Sequence, residues 1–559
     1  MLHRYASIAA LLLCAPILLC LGCGGGGSGA QSTTSTTTSY DMGTLTTVGD
    51  TDGFTLTSSV SGMVLGISGQ SQTAGTSVVQ EAVTTTADID WHFMPMGSEE
   101  YNVENLLTHQ VLGVASASTT AGAQVLQYAD NGTADHFWQF YLLTDGNYLI
   151  RNVNSGMYLE VANSSTSTTA TIDQGVRTAS GTGCSCQEWK LADTGTVAYP
   201  APMSVSGTGI YVHDPYMLQD PATHIYWLYG THQTIAYSTD LSTFTYATLS
   251  SAQGACTAAE GNTWITSAGH CPIIGPDFSS WSGLQTPPSD NSGKNIDVWA
   301  PSLLYANGTY YQYYAIPYEP STGAEAIIGL ATSTTPYGPW TDKGVIVTSW
   351  TDATTAVPST NPWGFVTGTT WNAIDPAPFV DASGNWWLVY GSWYDETRVL
   401  QLQTPATATS SATIGYPVSS TTSTWTKVAE RGAGEEGPFI YPYVFNGTQY
   451  YYYFAPINVC CAGTASTYRE IVGRSTSPTG PFVDRGGIAL TSGGGTILIS
   501  SHGNIYGPGG ASVFTDTGSS GSSSQPTIVY HYYDGKNNGT PTLGINRLAF
   551  TSDGWPYIQ

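Results

Sequence analysis

Between about residues 40 and 193 apolar and polar positions alternate in short runs divided by Ser, Thr and Gly clusters, and the runs return three times: MVLGIS, TAGTSVVQ and DWHF, then QVLGVA, TAGAQVLQ and FWQF, then MYLEVA, TATIDQG and EWKL. A two-residue alternation predicts half-buried strands, and a period of about 50 residues made of such strands predicts a threefold pseudosymmetric β-fold. Trp91, Trp138 and Trp189 fall at the same place in each repeat, where a core role is the commonest one for an indole.

From Met203 onward the pattern lengthens to an apolar strand, a turn and an aromatic-rich strand. It is legible in DPYMLQDPATHIYWLYG, WAPSLLYANGTYYQYYA, IDPAPFVDASGNWWLVYG, EGPFIYPYVFNGTQYYYYFA and YGPGGASVF followed by TIVYHYYDG. Five units at intervals of roughly 60 to 85 residues predict a propeller whose blades are four-stranded sheets. Asn307 with Gly308, and Asn446 with Gly447, supply hairpin turns. The fold class is therefore all-β, a five-bladed propeller over 203–559 preceded by a threefold domain over 40–193, with a linker at 194–202.

The N-terminus reads differently. His3 and Arg4 precede an apolar run from Ile8 to Leu21, too short and too early for a spanning helix, so residues 1–23 predict an export segment. CLGC resembles a bacterial lipoprotein cleavage box with Cys23 as the lipidated residue, although Cys20 stands where Leu is usual; an ordinary signal peptide cleaved nearby is the other reading. Residues 24–39 are Gly, Ser and Thr almost throughout and cannot bury enough surface to fold, which predicts a flexible tether. The expectation is an exported protein, at the cell surface or released, monomeric, and touching a membrane only through a lipid.

Charge narrows the partners. Acidic residues outnumber basic ones 39 to 14, a formal net charge of −25, which disfavours a polyanion such as nucleic acid. An exported compartment permits disulfides among Cys184, Cys186, Cys256, Cys271, Cys460 and Cys461, with Cys256 and Cys271 a plausible pair. No pair of CxxC or HxxxH motifs at ligand spacing supports zinc.

Candidate chemistry sits where the blades begin. Asp214 precedes Pro215, Asp375 precedes Pro376, and Glu436 lies just ahead of Gly437 and Pro438. Residues at the start of each innermost strand converge on one end of a propeller's funnel. Glycosidic cleavage needs one carboxylic acid to protonate the departing oxygen and one carboxylate to activate water or attack the anomeric carbon. A lone Asp before Pro is an ordinary turn residue; its recurrence at equivalent blade positions is the signal. Glu435 should face the opposite side of its strand from Glu436 and is set aside.

These residues also carry a resemblance. VHDP around Asp214, WNAIDP around Asp375 and EEGPFI around Glu436 resemble the signature segments of glycoside hydrolase family 43, in its arabinanase branch, and the likeness continues through CCAGTASTYREIVGRSTSPTGPFVDRGG and SHGNIYGPGG. The threefold segment resembles the ricin-type β-trefoil lectins, whose repeats end in QxW. Gln187, Glu188 and Trp189 match that motif, while the first two repeats read IDW and HFW.

The resemblance implies hydrolysis of α-1,5-linked arabinan in plant cell-wall pectin side chains, endo-acting and inverting, with Asp214 as general base, Glu436 as general acid and Asp375 raising and orienting the acid. It implies sugar contacts at Trp299, Asn372 and Ser392, with core packing the rival role for Trp299. Asp297 starts another blade, but the family's WAPD places its acid where Ser302 stands, so Asp297 stays outside the catalytic set. The resemblance also implies a calcium ion at the axis, held through a His in GPGHN. Gly510 occupies that position, which leaves His502 as the candidate ligand, with His531 read as structural. Rival functions are an exo-acting arabinofuranosidase or β-xylosidase, a non-catalytic surface sugar-binding protein, and a lectin in which the trefoil does the work.

Overall fold

The computed structural model describes residues 39–559 apart from 233, 248–297, 319–324, 339, 350–371, 392–395, 409, 432–433 and 522. The export segment, the tether, Asp297, Ser392 and the Cys256 and Cys271 pair lie outside the described residues. Bridges join Cys184 to Cys186 and the neighbours Cys460 and Cys461.

The first domain is a β-trefoil. Its three tryptophans are fully enclosed, and each indole N–H donates to the carbonyl of a leucine on its own repeat's early strand: Trp91 to Leu65 (3.0 Å), Trp138 to Leu112 (3.1 Å) and Trp189 to Leu159 (3.0 Å). Buried amides stitch the repeats together. Gln80, Gln127 and Gln174 each donate to two carbonyls of a loop in a neighbouring repeat, at Ser165 and Ser167, Ser71 and Thr73, and Ser118 and Thr120 respectively. Buried N–H groups satisfied this way tie the repeats into one rigid core.

Five four-stranded sheets follow among the described residues, each a chain-order meander. Their innermost strands are Tyr216–Gln219, Trp299–Ala306, Ala377–Val380, Phe439–Phe445 and Ile505–Asp516. Blades stack face to face around an axis, so middle strands are covered on both sides. That is why runs such as Tyr226–Gly230 and Thr448–Ile457 are nearly unbroken apolar or aromatic rather than alternating. Blade one closes onto blade five through side chains: Ser512 Oγ donates to Pro215 O (2.9 Å) and accepts from the Met217 N–H (3.2 Å), and the Tyr226 hydroxyl donates to Asp516 (2.7 Å).

The segment expected as a linker at 194–202 is packed rather than free. The last trefoil strand runs on to Val197 and pairs with Asp52, Tyr199 is buried, and the Met203 N–H donates to Ile545 O on blade five (2.8 Å). Met94, Val111 and Tyr199 join the same apolar cluster as Tyr453, Val472 and Phe482 of blade four. At its edge Arg469, only 1% exposed, meets Asn102 Oδ1 (2.8 Å) and Asp130 (3.4 Å) of the trefoil. The Tyr199 hydroxyl donates to Glu104 (2.6 Å), which His92 and His109 also contact. Burial alone would raise the Glu104 carboxyl; the hydrogen bonds from His109 and His92 outweigh it and hold it at about 2.

Candidate active site

The five innermost strands meet at a narrow axial shaft, lined in turn by Asp214–Tyr216, Ala300–Ser302, Asp375–Ala377, Gly437–Phe439 and Gly510–Ser512. The leading residue of each triplet has a left-handed backbone, with φ of 51° at Asp214, 39° at Ala300, 52° at Asp375, 55° at Gly437 and 62° at Gly510. This shared kink swings the chain from the funnel rim into the axial strand. Glycine adopts it freely and Asp tolerates it, but an L-residue there is strained and persists only where its surroundings hold it. Above the shaft opens a cavity of about 600 Å³, walled by Asp214, Asp375, Glu436, His213, Trp299 and the Cys460–Cys461 bridge among others.

The structure thus brings Asp214, Asp375 and Glu436 to one space. In blade four Gly437 takes the kinked position, so its acid is carried one residue earlier, on Glu436. Glu435 faces away: it is buried, and the Tyr453 hydroxyl donates to its Oε1 (2.6 Å).

The carboxyls differ in their surroundings. Burial, with the charges of Asp375 and Asp214 added, holds the Glu436 carboxyl well above the usual range, and the Tyr468 hydroxyl bonds its Oε1. Burial and the Asp214 charge push Asp375 up to about 8, against the pull of the Gly437 N–H that donates to its Oδ2 (2.9 Å). Asp214 goes the other way. Burial opposes its ionisation, but His213 above all, together with the Thr231 hydroxyl, outweighs it and holds the carboxyl below the ordinary range. Two protonated acids beside one carboxylate is the division of labour that a general acid and a general base require.

Asp214 is also oriented atom by atom. Its Oδ2 accepts from the Thr231 hydroxyl (2.7 Å) and contacts His213 Nδ1 (2.8 Å), while its own N–H donates to His531 Nδ1 (3.1 Å). Because that N–H can only donate, His531 Nδ1 carries no proton and offers nothing to Asp214 Oδ1, 3.6 Å away. Oδ1 is therefore the oxygen left to accept a proton from water. Thr231 and Tyr468 are partners that no motif pointed to, and His531, expected to be structural, holds the base's backbone. His213, adjacent to Asp214 in VHDP, was the one with a visible signal.

The remaining expectations divide. Trp299 is half-buried on the cavity wall and packs on Ala315, Ala326 and Ile374. Asn372 sits behind that wall: it is 6% exposed and its Oδ1 accepts from Ser349 (3.1 Å). Ser392 lies outside the described residues. His502 does not stand at the axis but under the trefoil, with its Nδ1 on Ser500 O (2.7 Å) and its ring 5.4 Å from that of Tyr199.

A calcium ion seeks six to eight oxygen ligands, roughly. Besides Pro, Ala and Gly the shaft offers the carboxyls of Asp214 and Asp375, but Asp214 Oδ2 is spent on Thr231 and His213 and Asp375 Oδ2 on the Gly437 N–H; the Ser512 hydroxyl is spent on Pro215 O, that of Ser302 on Pro376 O, and His531 Nδ1 on the Asp214 N–H, which leaves far fewer than six oxygens. These residues do not fit calcium.

Gly510 shows why a histidine is missing there. A Cβ at this position would lie 2.7 Å from Asp214 Oδ1 and 3.1 Å from His531 Nδ1, so His531, arriving from the second strand of blade five, occupies the space that a side chain at 510 would need. Gly510→Ala is expected to cut kcat at least tenfold by displacing Asp214 Oδ1, with a smaller change in KM. Steady-state kinetics with a far-UV circular dichroism control checks this; unchanged kcat would refute it.

The family model described as glycosyl hydrolases family 43 matches residues 275–556, and that described as ricin-type beta-trefoil lectin domain-like matches 40–128 and 134–201. Asp214 lies upstream of the first match, so its place in the site rests on the geometry. The chain is similar to the probable arabinan endo-1,5-alpha-L-arabinosidase A of Emericella nidulans, 32% identical over 64% of this chain and 94% of that protein. It is 33% identical to the arabinan endo-1,5-alpha-L-arabinosidase A of Aspergillus niger over the same shares. Among solved structures, the alpha-L-arabinanase of Cellvibrio cellulosa complexed with arabinohexaose aligns at 26% identity and TM-score 0.45, over 63% of this chain and 96% of its own.

Proposed function

Because the chain belongs to the glycosyl hydrolases family 43, we propose that it hydrolyses α-1,5-L-arabinofuranosidic bonds of arabinan in endo fashion with inversion, using Asp214 as base, Glu436 as acid and Asp375 as the group that keeps the acid protonated. The observation that carries this reading is the opposed setting of three carboxyls around one cavity, one held ionised and two held protonated.

In the reaction Glu436 gives its proton to the glycosidic oxygen as the C–O bond breaks. Water, losing a proton to Asp214 Oδ1, attacks the anomeric carbon from the opposite face. The acid ends ionised and the base protonated, and proton exchange with solvent restores both. Asp375, whose Oδ2 takes the Gly437 N–H, is fixed beside the residue following Glu436, so any charge on it disfavours ionisation of the acid.

Products from linear arabinan test the assignment: oligosaccharides from the first minutes and an anomeric signal of inverted configuration are expected, and arabinose alone from the outset would overturn the endo mode. The pH dependence has a definite shape. kcat/KM on arabinan should fall on the alkaline side as Glu436 loses its proton, with that limb displaced above the usual glutamate range. On the acid side activity should persist until Asp214 is protonated, below the usual aspartate range. Asp375→Asn removes a carboxyl that ionises only as the pH rises past about 8 and then opposes ionisation of Glu436, so the alkaline limb should move to lower pH.

Export and a lipid on Cys23 would place the enzyme on the cell surface, with the trefoil holding polysaccharide while the propeller cuts. Metabolic labelling with a tritiated fatty acid, lost in Cys23→Ser, tests the anchor.

A further inference from the structure

The Cys460–Cys461 bridge forms part of the cavity wall, yet it donates nothing to a sugar that a simple apolar surface could not. Its covalent form does something else. A disulfide between neighbours closes a small ring that contains the peptide unit between them, and that unit's N–H belongs to Cys461. The N–H points at the Tyr533 oxygen (2.6 Å), and Tyr533 in turn contacts His213 Nε2 (2.8 Å), whose Nδ1 contacts Asp214 Oδ2 (2.8 Å).

A backbone N–H can only donate, so the Tyr533 oxygen accepts there; of the two partners left for its hydroxyl proton, His213 Nε2 at 2.8 Å and the Ser466 side chain, we assign it to His213 Nε2. With Nε2 accepting, the neutral imidazole carries its proton on Nδ1 and donates it to Asp214. Burial holds the Tyr533 phenol above its ordinary range, so the donor keeps its proton. Ring stacking of His213 on His531 at 3.8 Å fixes the plane of the imidazole.

We propose that the Cys460–Cys461 disulfide, Tyr533 and His213 form a positioning chain that sets the tautomer of His213 and thereby aims the Asp214 carboxylate. None of the three supplies a reacting atom. The proposal rests on Asp214 being the base. Without the bridge the Cys460–Cys461 peptide is free to rotate, the Tyr533 hydroxyl is free to turn, and His213 is free to move its proton to Nε2, which leaves Nδ1 facing Asp214 as a second acceptor.

The test is kinetic and uses the full-length enzyme on linear arabinan. Cys460→Ser prevents the bridge while keeping the Cys461 backbone, and Tyr533→Phe removes the middle link. Each is expected to lower kcat about tenfold, the size of one lost orienting hydrogen bond to a charged group, with KM changed less than about twofold. Because both cut the same chain, the double variant should be no worse than the weaker single one. His213→Asn keeps an N–H near the Nδ1 position and should retain several times the kcat of His213→Leu.

Multiplying losses in the double variant would overturn the proposal. So would a loss confined to KM, which would make the bridge a sugar-contacting wall instead, or equal activity of the Asn and Leu variants. Far-UV circular dichroism and the thermal midpoint must match wild type for Tyr533→Phe, the variant that carries the conclusion if Cys460→Ser folds poorly. An inactive wild type would count against the proposed function; an active wild type with unaffected variants counts against the positioning chain alone.

Discussion

Glu436→Gln is expected to lower kcat on linear arabinan by about 10² to 10⁴, the usual worth of a positioned general acid, with little effect on folding. Gln fills the same volume and retains an oxygen for the Tyr468 hydroxyl that bonds Glu436 Oε1, so the surroundings need not move. What disappears is the proton for the departing oxygen. An aryl arabinofuranoside with a strongly acidic phenol leaves without that proton, so the same variant should lose far less on it than on arabinan. Comparable losses on the two substrates would mean that Glu436 holds structure or sugar and donates no proton, and unchanged arabinan hydrolysis would remove it from the mechanism. Glu435→Gln is the matched control: its carboxyl is bonded to Tyr453 away from the cavity, and it should affect stability more than catalysis.

The second large effect concerns the join between the domains. Arg469→Met is expected to cost about 3 kcal/mol, because it takes the main counter-charge from Asp130 in an interior where both partners are almost wholly shielded from water. Burial pushes the Asp130 carboxyl up, and Arg469, with help from His136 and Arg431, more than reverses this and holds it below the ordinary range. A carboxyl depressed on folding contributes stability that is present above its unfolded pKa and lost as pH falls through the folded one. Urea titration at neutral pH should therefore show the full difference between wild type and Arg469→Met, and the difference should shrink on acidification. Adding Asp130→Asn to Arg469→Met should recover part of the loss, since the buried charge is gone. Tyr468 adjoins Arg469 and bonds the acid, so a fall in kcat is expected to accompany the loss of stability. If Arg469→Met unfolds like wild type, the trefoil is merely appended to blade four and not locked to it.

Much of the architecture was legible because its signals are local. Trp91, Trp138 and Trp189 and the clamping glutamines recur with the trefoil's own period, each tryptophan making the same bond in its own repeat and each glutamine the same pair of bonds to a neighbouring one. Nothing in DTGTVAYP marks the partners of that segment, which are Asp52 at one end and blade five at the other. His502 was a reasonable metal candidate on motif grounds. Its place under the trefoil was not legible, because a histidine near a Gly-rich segment says nothing about which side of the blade it faces.

The sequence by itself determined that the chain is all-β, that its strands come as a threefold and then a fivefold repeat, and that Asp214, Asp375 and Glu436 stand at blade starts, since alternation, turn chemistry and repetition all act within a few residues. Only the tertiary structure decided which oxygen of Asp214 is left for water, why His531 and Asp214 leave no room for a side chain at residue 510, and how a bridge at Cys460–Cys461 reaches the base. Those depend on contacts between residues as far apart as His213 and Tyr533, and no local pattern records which distant side chains a ring of blades will bring face to face.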